Sequence, residues 1–341
     1  MNNTSSLLAS SKILIIKFGG IGDVLLASPV IENLKLFNPK FSIDVLTERS
    51  AATVVIGNPF VNRVFQFDRR KDSGLSLIRM IRNQNYDTVI DLYANPRTAL
   101  VTKFSGAGTR IGFPFRGRGY AYNIQVAPRS GEVHNVEFNL DALRRVNIPV
   151  KTAHPLFPIE NSDRDFADEW IKNQKFEHRP IVGINPSGGW YTKKWKLESF
   201  ARLADQLQQW KQWNILFIWG PGELNDVQKI KDLMNASSTL APATTLKQMA
   251  ALIGKTSYFI SNDAGPMHIA AAAGVPTLGI YGPTNPHLQG PYGKKNLWVR
   301  NEEIDCLECN LTQCPIGNIC MTDLNVESVF VSFKKLVTMN Q

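Results

Sequence analysis

Apolar positions along this chain alternate between short unbroken runs and stretches with helical spacing. Lys12–Phe18 (KILIIKF) is an isoleucine-rich run of the kind that forms a strand covered on both faces. Glycines follow at 19, 20 and 22, and Asp23–Phe37 then keeps helical spacing until Asn38-Pro39 stops it. Ile43–Thr47 and Arg63–Phe67 predict two further strands, Gly74–Asn83 a helix, and Asp87–Tyr93 (DTVIDLY) another buried strand. Strands alternating with helices of this length imply parallel pairing and an α/β fold.

Residues 148–162 (IPVKTAHPLFPIENS) hold three prolines and no period, which suits a crossing between domains. The rhythm then restarts with strand Ile181–Asn185, helix Leu197–Gln209, strand Ile215–Trp219 and a helix from Glu223. Strands Tyr258–Ile260 and Thr277–Tyr281 follow, with a small-residue helix at Ile269–Ala273 between them. The chain therefore reads as two α/β halves. Ligands of such folds sit outside the carboxyl ends of the strands. That singles out the loops at 19–23, 185–195, 219–223 and 261–268.

A length of 341 residues, with 43% hydrophobic and 20% charged positions, fits a globular protein of about two domains. The longest apolar stretches, Ile13–Phe18 and Ala270–Tyr281, fall well short of the roughly 20 residues that span a bilayer. Residues 1–11 lack the basic start and long apolar core of a secretory signal, so a frayed lead-in to a cytoplasmic protein is expected. Charge is more informative. Residues 1–150 carry 19 Lys+Arg against 11 Asp+Glu, whereas residues 151–341 carry 19 against 18. The first half is thus expected to meet something anionic: nucleic acid, anionic lipid or an acidic glycan. It contains no nucleic-acid motif and no basic block that would track a phosphate backbone.

The Gly19-Gly20-Ile21-Gly22-Asp23 turn leads a buried strand into a helix. A dinucleotide fingerprint would need a third glycine where Leu25 stands, although Glu48 lies near the place of a ribose-binding acid. Asp23 would repel a pyrophosphate; it either caps its helix or acts as a catalytic base. Asn185-Pro186-Ser187-Gly188-Gly189 opens a loop presenting Lys193 and Lys194, which are either phosphate ligands or solvated charges. Ser261–His268 brings a polar turn to a helix start, an arrangement that favours anions. His268 there is either a packing residue or a ligand contact. The four cysteines, Cys306, Cys309, Cys314 and Cys320, could hold a metal, pair or stay reduced. Their single C-x2-C unit is not the two-pair spacing of ordinary zinc sites.

Taken in order, three segments resemble glycosyltransferase family 9, the ADP-heptose:lipopolysaccharide heptosyltransferases. They are KFGGIGDVLLASPVIENLK (17–35), NPSGGWYTKKWKLESFARLADQL (185–207) and SNDAGPMHIAAAAGVPTLGIYGPTNP (261–286). CLECNLTQCPIGNICM (306–321) is similar to a further segment of that family. The resemblance implies a GT-B fold: two Rossmann-like domains with parallel sheets facing a central cleft. Residues 1–158 would bind the acceptor and 159–341 the nucleotide sugar, with the last helix able to return to the first domain.

It further implies Asp23 as general base, Lys193 near the donor diphosphate, and Asp263, Gly265 and His268 as donor contacts. Glu223 is a weaker match for a nucleoside contact. Ala264 stands where the family often carries Ser or Thr, so its backbone N–H would serve in place of a hydroxyl. Gly22, Arg97, Arg116 and Arg118 are the expected acceptor contacts, with Arg110 beside them. The implied reaction is an inverting displacement without metal or cofactor. Its substrates would be a nucleotide sugar, ADP-heptose, and an anionic glycolipid at the inner membrane surface, with no nucleic-acid partner. The alternatives are another nucleotide sugar, a dinucleotide-dependent oxidoreductase, or a non-catalytic adaptor of the same fold.

Overall fold

The structure, a computed structural model, describes residues 11–174, 176 and 179–341. Of the expected lead-in at residues 1–11, all but Ser11 lies outside the described residues. The chain divides into two compact units, Met1–Pro158 and Ile159–Gln341.

The first unit is built on six parallel strands: β1 Lys12–Ile16, β2 Ser42–Glu48, β3 Arg63–Phe67, β4 Thr88–Asp91, β5 Thr109–Gly112 and β6 Ile124–Gln125. Their spatial order is β3-β2-β1-β4-β5-β6. Ile13 lies between Ile43 of β2 and Thr88 of β4, and Ile13 through Ile16 are all buried, as helices on both sides of a sheet demand. The chain leaves β1 to one side and returns on the other, so the carboxyl ends of β1 and β4 form a switch point where a crevice opens.

Two helices differ from expectation. Asp23–Phe37 is interrupted, giving Ile21–Leu25 and Ser28–Phe37. Pro29 lacks the N–H that would continue the first helix, and the Ser28 hydroxyl donates to the Leu25 carbonyl at 2.7 Å. In the helix Gly74–Arg82 the helical spacing of Leu75, Ile78 and Ile81 predicts one apolar side packed in the core; the buried residues are instead Leu77 and Ile81, and Leu75 faces solvent.

The second unit repeats the plan with β7 Ile181–Asn185, β8 Asn214–Phe217, β9 Thr239–Leu240, β10 Tyr258–Asn262, β11 Thr277–Tyr281 and β12 Leu297–Arg300. All pairs are parallel, in the order β12-β11-β10-β7-β8-β9, which puts its switch point between β7 and β10. Gly183 on β7 is required by packing, because a Cβ there would lie 2.6 Å from the Phe259 ring. The last helix, Val326–Met339, packs Val329, Phe333, Leu336 and Val337 into this unit's core beside Trp213 and Tyr258. The proline-rich stretch is shorter than expected, since a helix already starts at Asn161. Its beginning is fixed by the buried Asn33, which accepts the N–H groups of Lys151 (2.6 Å) and Thr152 (3.2 Å). No helix among the described residues is long and apolar enough to cross a membrane.

Candidate functional site

In the first unit the glycine turn sits at the end of β1. Gly19 has φ +111, and a Cβ there would meet the Asp23 Oδ2 at 2.6 Å. Only glycine leaves room for the carboxylate, which folds back so that Oδ2 accepts the Gly20 N–H at 2.9 Å. Asp23 is therefore a cap of its own helix, and it is also solvent-exposed. Its Oδ1 accepts no hydrogen bond among the described residues. Gly22 precedes it, half-buried, in the same short helix.

Behind the turn lies a polar cluster that sequence reasoning missed. The buried Lys17 ammonium donates to the Leu92 carbonyl and to Asn139 Oδ1, both at 3.2 Å. Asn139 in turn donates to the Leu26 carbonyl at 3.2 Å, at the far end of the Asp23 helix. Burial pulls the Lys17 pKa down, and the charges of Asp23 and Asp91 oppose that pull. Asp91, at the end of β4, is pushed up by burial while accepting N–H groups from Ala94 and Tyr93 and the Tyr122 hydroxyl. The signal for the cluster was present: a lysine inside the apolar run KILIIKF and an aspartate inside DTVIDLY.

The expected acceptor arginines have varied surroundings. Arg110 donates to the carbonyls of Ala107 and Ala121, and Arg118 to that of Ala94 at 2.7 Å. Arg97 lies with its guanidinium 4.8 Å from the Phe67 ring centre, and Phe67 stacks on Phe18. Arg116 is exposed, with a left-handed backbone at φ 47. A groove of about 470 Å³ at the carboxyl ends of β2 and β3 adds Arg49, Arg69 and Arg70, beside Glu48, Phe67 and Asp68. The Arg69 Nε donates to Glu48 at 2.7 Å. Glu48, the acid placed to serve a ribose, is thus already engaged. The unit through Pro158 carries 20 Lys+Arg against 11 Asp+Glu, and the rest of the chain 18 against 18.

In the second unit, four loops meet at the carboxyl edge of the sheet. Gly188 lets the lysine loop fold tightly, because a Cβ there would lie 2.8 Å from the Lys194 side chain. The two lysines diverge. Lys193 Nζ lies 2.6 Å from Asp263 Oδ2 and 4.5 Å from the Trp190 ring centre, whereas Lys194 reaches Asp226 at 3.3 Å. Asp263, buried at the end of β10, also accepts the Thr284 hydroxyl at 2.6 Å. Its charge adds to burial in raising the pKa of Tyr281 beneath it.

The helix Gly265–Ala272 follows at once, starting four residues before the expected small-residue helix, with Ala264 at its cap position and no capping side chain. Pro266 in its first turn has no N–H and the Met267 N–H donates to the Ala264 carbonyl at 3.1 Å, which leaves the N–H groups of Ala264 and Gly265 to meet whatever sits outside the sheet. His268 is buried in this helix. Glu223 accepts the Ser187 hydroxyl and the Gly220 N–H (2.8 Å), and Asn185 donates to Ser187 at 3.0 Å. Lys193, Asp263, Ala264 and Gly265 thus form one cluster, and Glu223 is tied to the same edge through Ser187.

All four cysteines are free, and burial pushes the Cys320 thiol up to about 11. Among the described residues no group of three or more His, Cys, Asp or Glu could hold a metal ion.

The family model for glycosyltransferase family 9 (heptosyltransferase) matches residues 74–320, a span that begins after the Asp23 turn. The lipopolysaccharide core heptosyltransferase OpsX of Haemophilus influenzae is 25% identical over 345 aligned positions, covering 96% of this chain and 97% of that protein. Lipopolysaccharide heptosyltransferase 3 of Escherichia coli K12 is 27% identical over 305 positions, 82% of this chain and 86% of its own length. Among solved structures, a glycosyl transferase family 9 protein from Veillonella parvula superimposes with a TM-score of 0.82 at 23% identity, over 96% of this chain and 97% of that one. Escherichia coli heptosyltransferase WaaC with ADP gives 0.73 at 21% identity, over 95% and 99%.

Proposed function

The chain belongs to glycosyltransferase family 9, and from that premise we propose that it transfers a heptose from ADP-heptose to an anionic inner-core glycolipid of lipopolysaccharide. The observation that carries this reading is the pair of half-buried Lys193 and buried Asp263 beside an uncapped helix start. A cation and free N–H groups at one edge match a diphosphate. The relatives whose names specify lipopolysaccharide heptosyl transfer supply the sugar and the acceptor class.

The reaction we infer is one inverting displacement. Asp23 accepts the proton of an acceptor hydroxyl through its unengaged oxygen, and that hydroxyl oxygen bonds to the anomeric carbon. The bond from that carbon to the diphosphate breaks, and ADP leaves with the electron pair. Lys193 shifts from Asp263 toward the departing phosphates, and the N–H groups around Ala264 and Gly265 take the rest of the charge. Because these groups supply the counter-charge, the mechanism calls for no metal and no cofactor. Glu223 and His268 are assigned to the donor. Gly22, Arg97, Arg116 and Arg118 are assigned to the acceptor, and the groove at Arg49, Arg69 and Arg70 offers it further cations.

The oxidoreductase reading loses ground on two counts: Leu25 replaces the third glycine, and Arg69 holds the acid a ribose would need. The test is Asp23→Asn, which keeps the size and an oxygen for the Gly20 N–H but accepts no proton. Turnover should fall below about a tenth of wild type with donor affinity nearly unchanged. Retained turnover would reduce Asp23 to a cap.

A further inference from the structure

The helix Gly74–Arg82 and the helix Pro96–Phe104 lie side by side on the first unit. Their starts enclose an apolar groove of about 490 Å³ lined by Gly74, Leu75, Ile78, Pro96, Arg97 and Leu100. Their ends are close as well, since the place of a Cβ on Gly106 is 3.9 Å from the Arg82 side chain. Large apolar side chains stand out along this pair: Leu75 is 81% exposed, Leu100 41% and Phe104 48%. Isolated exposed leucines are ordinary, but three along adjoining ridges beside an apolar groove mark a surface that another body covers.

The charges say what kind of body. Leu75, Arg79 and Arg82 follow one another at helical spacing on the exposed ridge of the first helix, and Lys103 accompanies Leu100 and Phe104 on the second. Neither helix contains an acidic residue. The nearest acid in sequence, Asp72, turns back to accept the Asp68 N–H at 2.8 Å. A second copy of this face, related by a two-fold axis, would bring like charges together. An interleaved apolar and cationic surface instead matches acyl chains under anionic headgroups.

We propose that the paired helices Gly74–Arg82 and Pro96–Phe104 dock the protein on an anionic bilayer, with Leu75, Leu100 and Phe104 entering it and Arg79, Arg82 and Lys103 at the headgroups. The surface itself is read independently of the reaction; only the expected effect on activity rests on the glycolipid acceptor.

The experiment is co-sedimentation of the full chain with vesicles of phosphatidylglycerol and phosphatidylethanolamine, against vesicles of phosphatidylcholine alone. Wild type should pellet with the first and stay in solution with the second. Leu75→Glu/Leu100→Glu should abolish pelleting. Arg79→Gln/Arg82→Gln should weaken it at least about tenfold, each cation being worth about fivefold. Both variants change exposed positions and should keep the wild-type melting temperature. Transfer to an acceptor embedded in vesicles should fall in both variants, and transfer to a deacylated, water-soluble acceptor should not. Equal binding to the two vesicle types, equal binding by wild type and Leu75→Glu/Leu100→Glu, or a wild-type dimer that this variant dissolves would each overturn the proposal. Wild type that transfers to neither acceptor but still pellets with anionic vesicles would count against the heptosyl-transfer reading and leave this one standing.

Discussion

Lys193 Nζ and Asp263 Oδ2 lie 2.6 Å apart, at 13% and 5% side-chain exposure, while the neighbouring Lys194 points away to Asp226. Removing Lys193 alone leaves a buried carboxylate with the Thr284 hydroxyl as its remaining close partner. Lys193→Ala should therefore weaken donor binding and turnover and also lower stability, by up to about 3 kcal/mol. Lys194→Ala should do little to either. Adding Asp263→Asn to Lys193→Ala should restore stability in urea titrations without restoring turnover. Full recovery of both would make the pair purely structural.

Transfer should survive exhaustive treatment with EDTA, because Lys193 and the helix start at Ala264–Gly265 carry the leaving-group charge in the proposed reaction. Activity that disappears on chelation and returns with Mg²⁺ or Mn²⁺ would contradict that mechanism.

Lys17 provides a pH signature. Its ammonium is charged in both folded and unfolded chains well below its depressed folded pKa, and there its burial opposes folding. Between that value and the ordinary 10.5 the unfolded chain binds the extra proton, so stability rises with pH across this window. Urea melts at pH 7 and pH 10 should show wild type gaining on Lys17→Met as pH rises. Loss relative to the variant would reverse the assignment. Because Asn139 joins Lys17 to the far end of the Asp23 helix, Asn139→Ala should lower kcat with donor affinity unchanged.

The acceptor KM should rise with salt while the donor KM changes less, since exposed charges are screened over about 10 Å at 0.1 M. Arg116→Gln/Arg118→Gln should reproduce part of that rise at low salt. Arg118 also holds the Ala94 carbonyl, so Arg116→Gln alone is the cleaner measure of charge. An acceptor KM indifferent to both changes would remove the anionic acceptor from the proposal.

Much of this fold was legible in residue order. Ile181–Asn185, Thr277–Tyr281 and Arg63–Phe67 coincide with strands because each is short, apolar at its core and bounded by turn residues. The edge strands β6 and β9, of two residues each, carry no period to detect, and pairing alone defines them. The break at Ser28-Pro29 was written in the sequence but outweighed by the continuous apolar spacing around it. At the site, Lys193 turns to Asp263 and Lys194 to Asp226, partners distant in sequence that no local pattern reveals. The Lys17–Asn139 link joins residues 122 positions apart and becomes visible only after β1 and the helix Asn135–Arg144 are packed.

The excess of positive charge lies entirely on one of the two units, and the other is balanced. In electrical terms the molecule resembles an oriented body more than a uniformly charged one. A field from an anionic surface would turn it as well as attract it, beginning within a Debye length of contact. Productive encounters would then need less rotational searching, and the advantage would show as an association rate that falls with ionic strength faster than the dissociation rate rises.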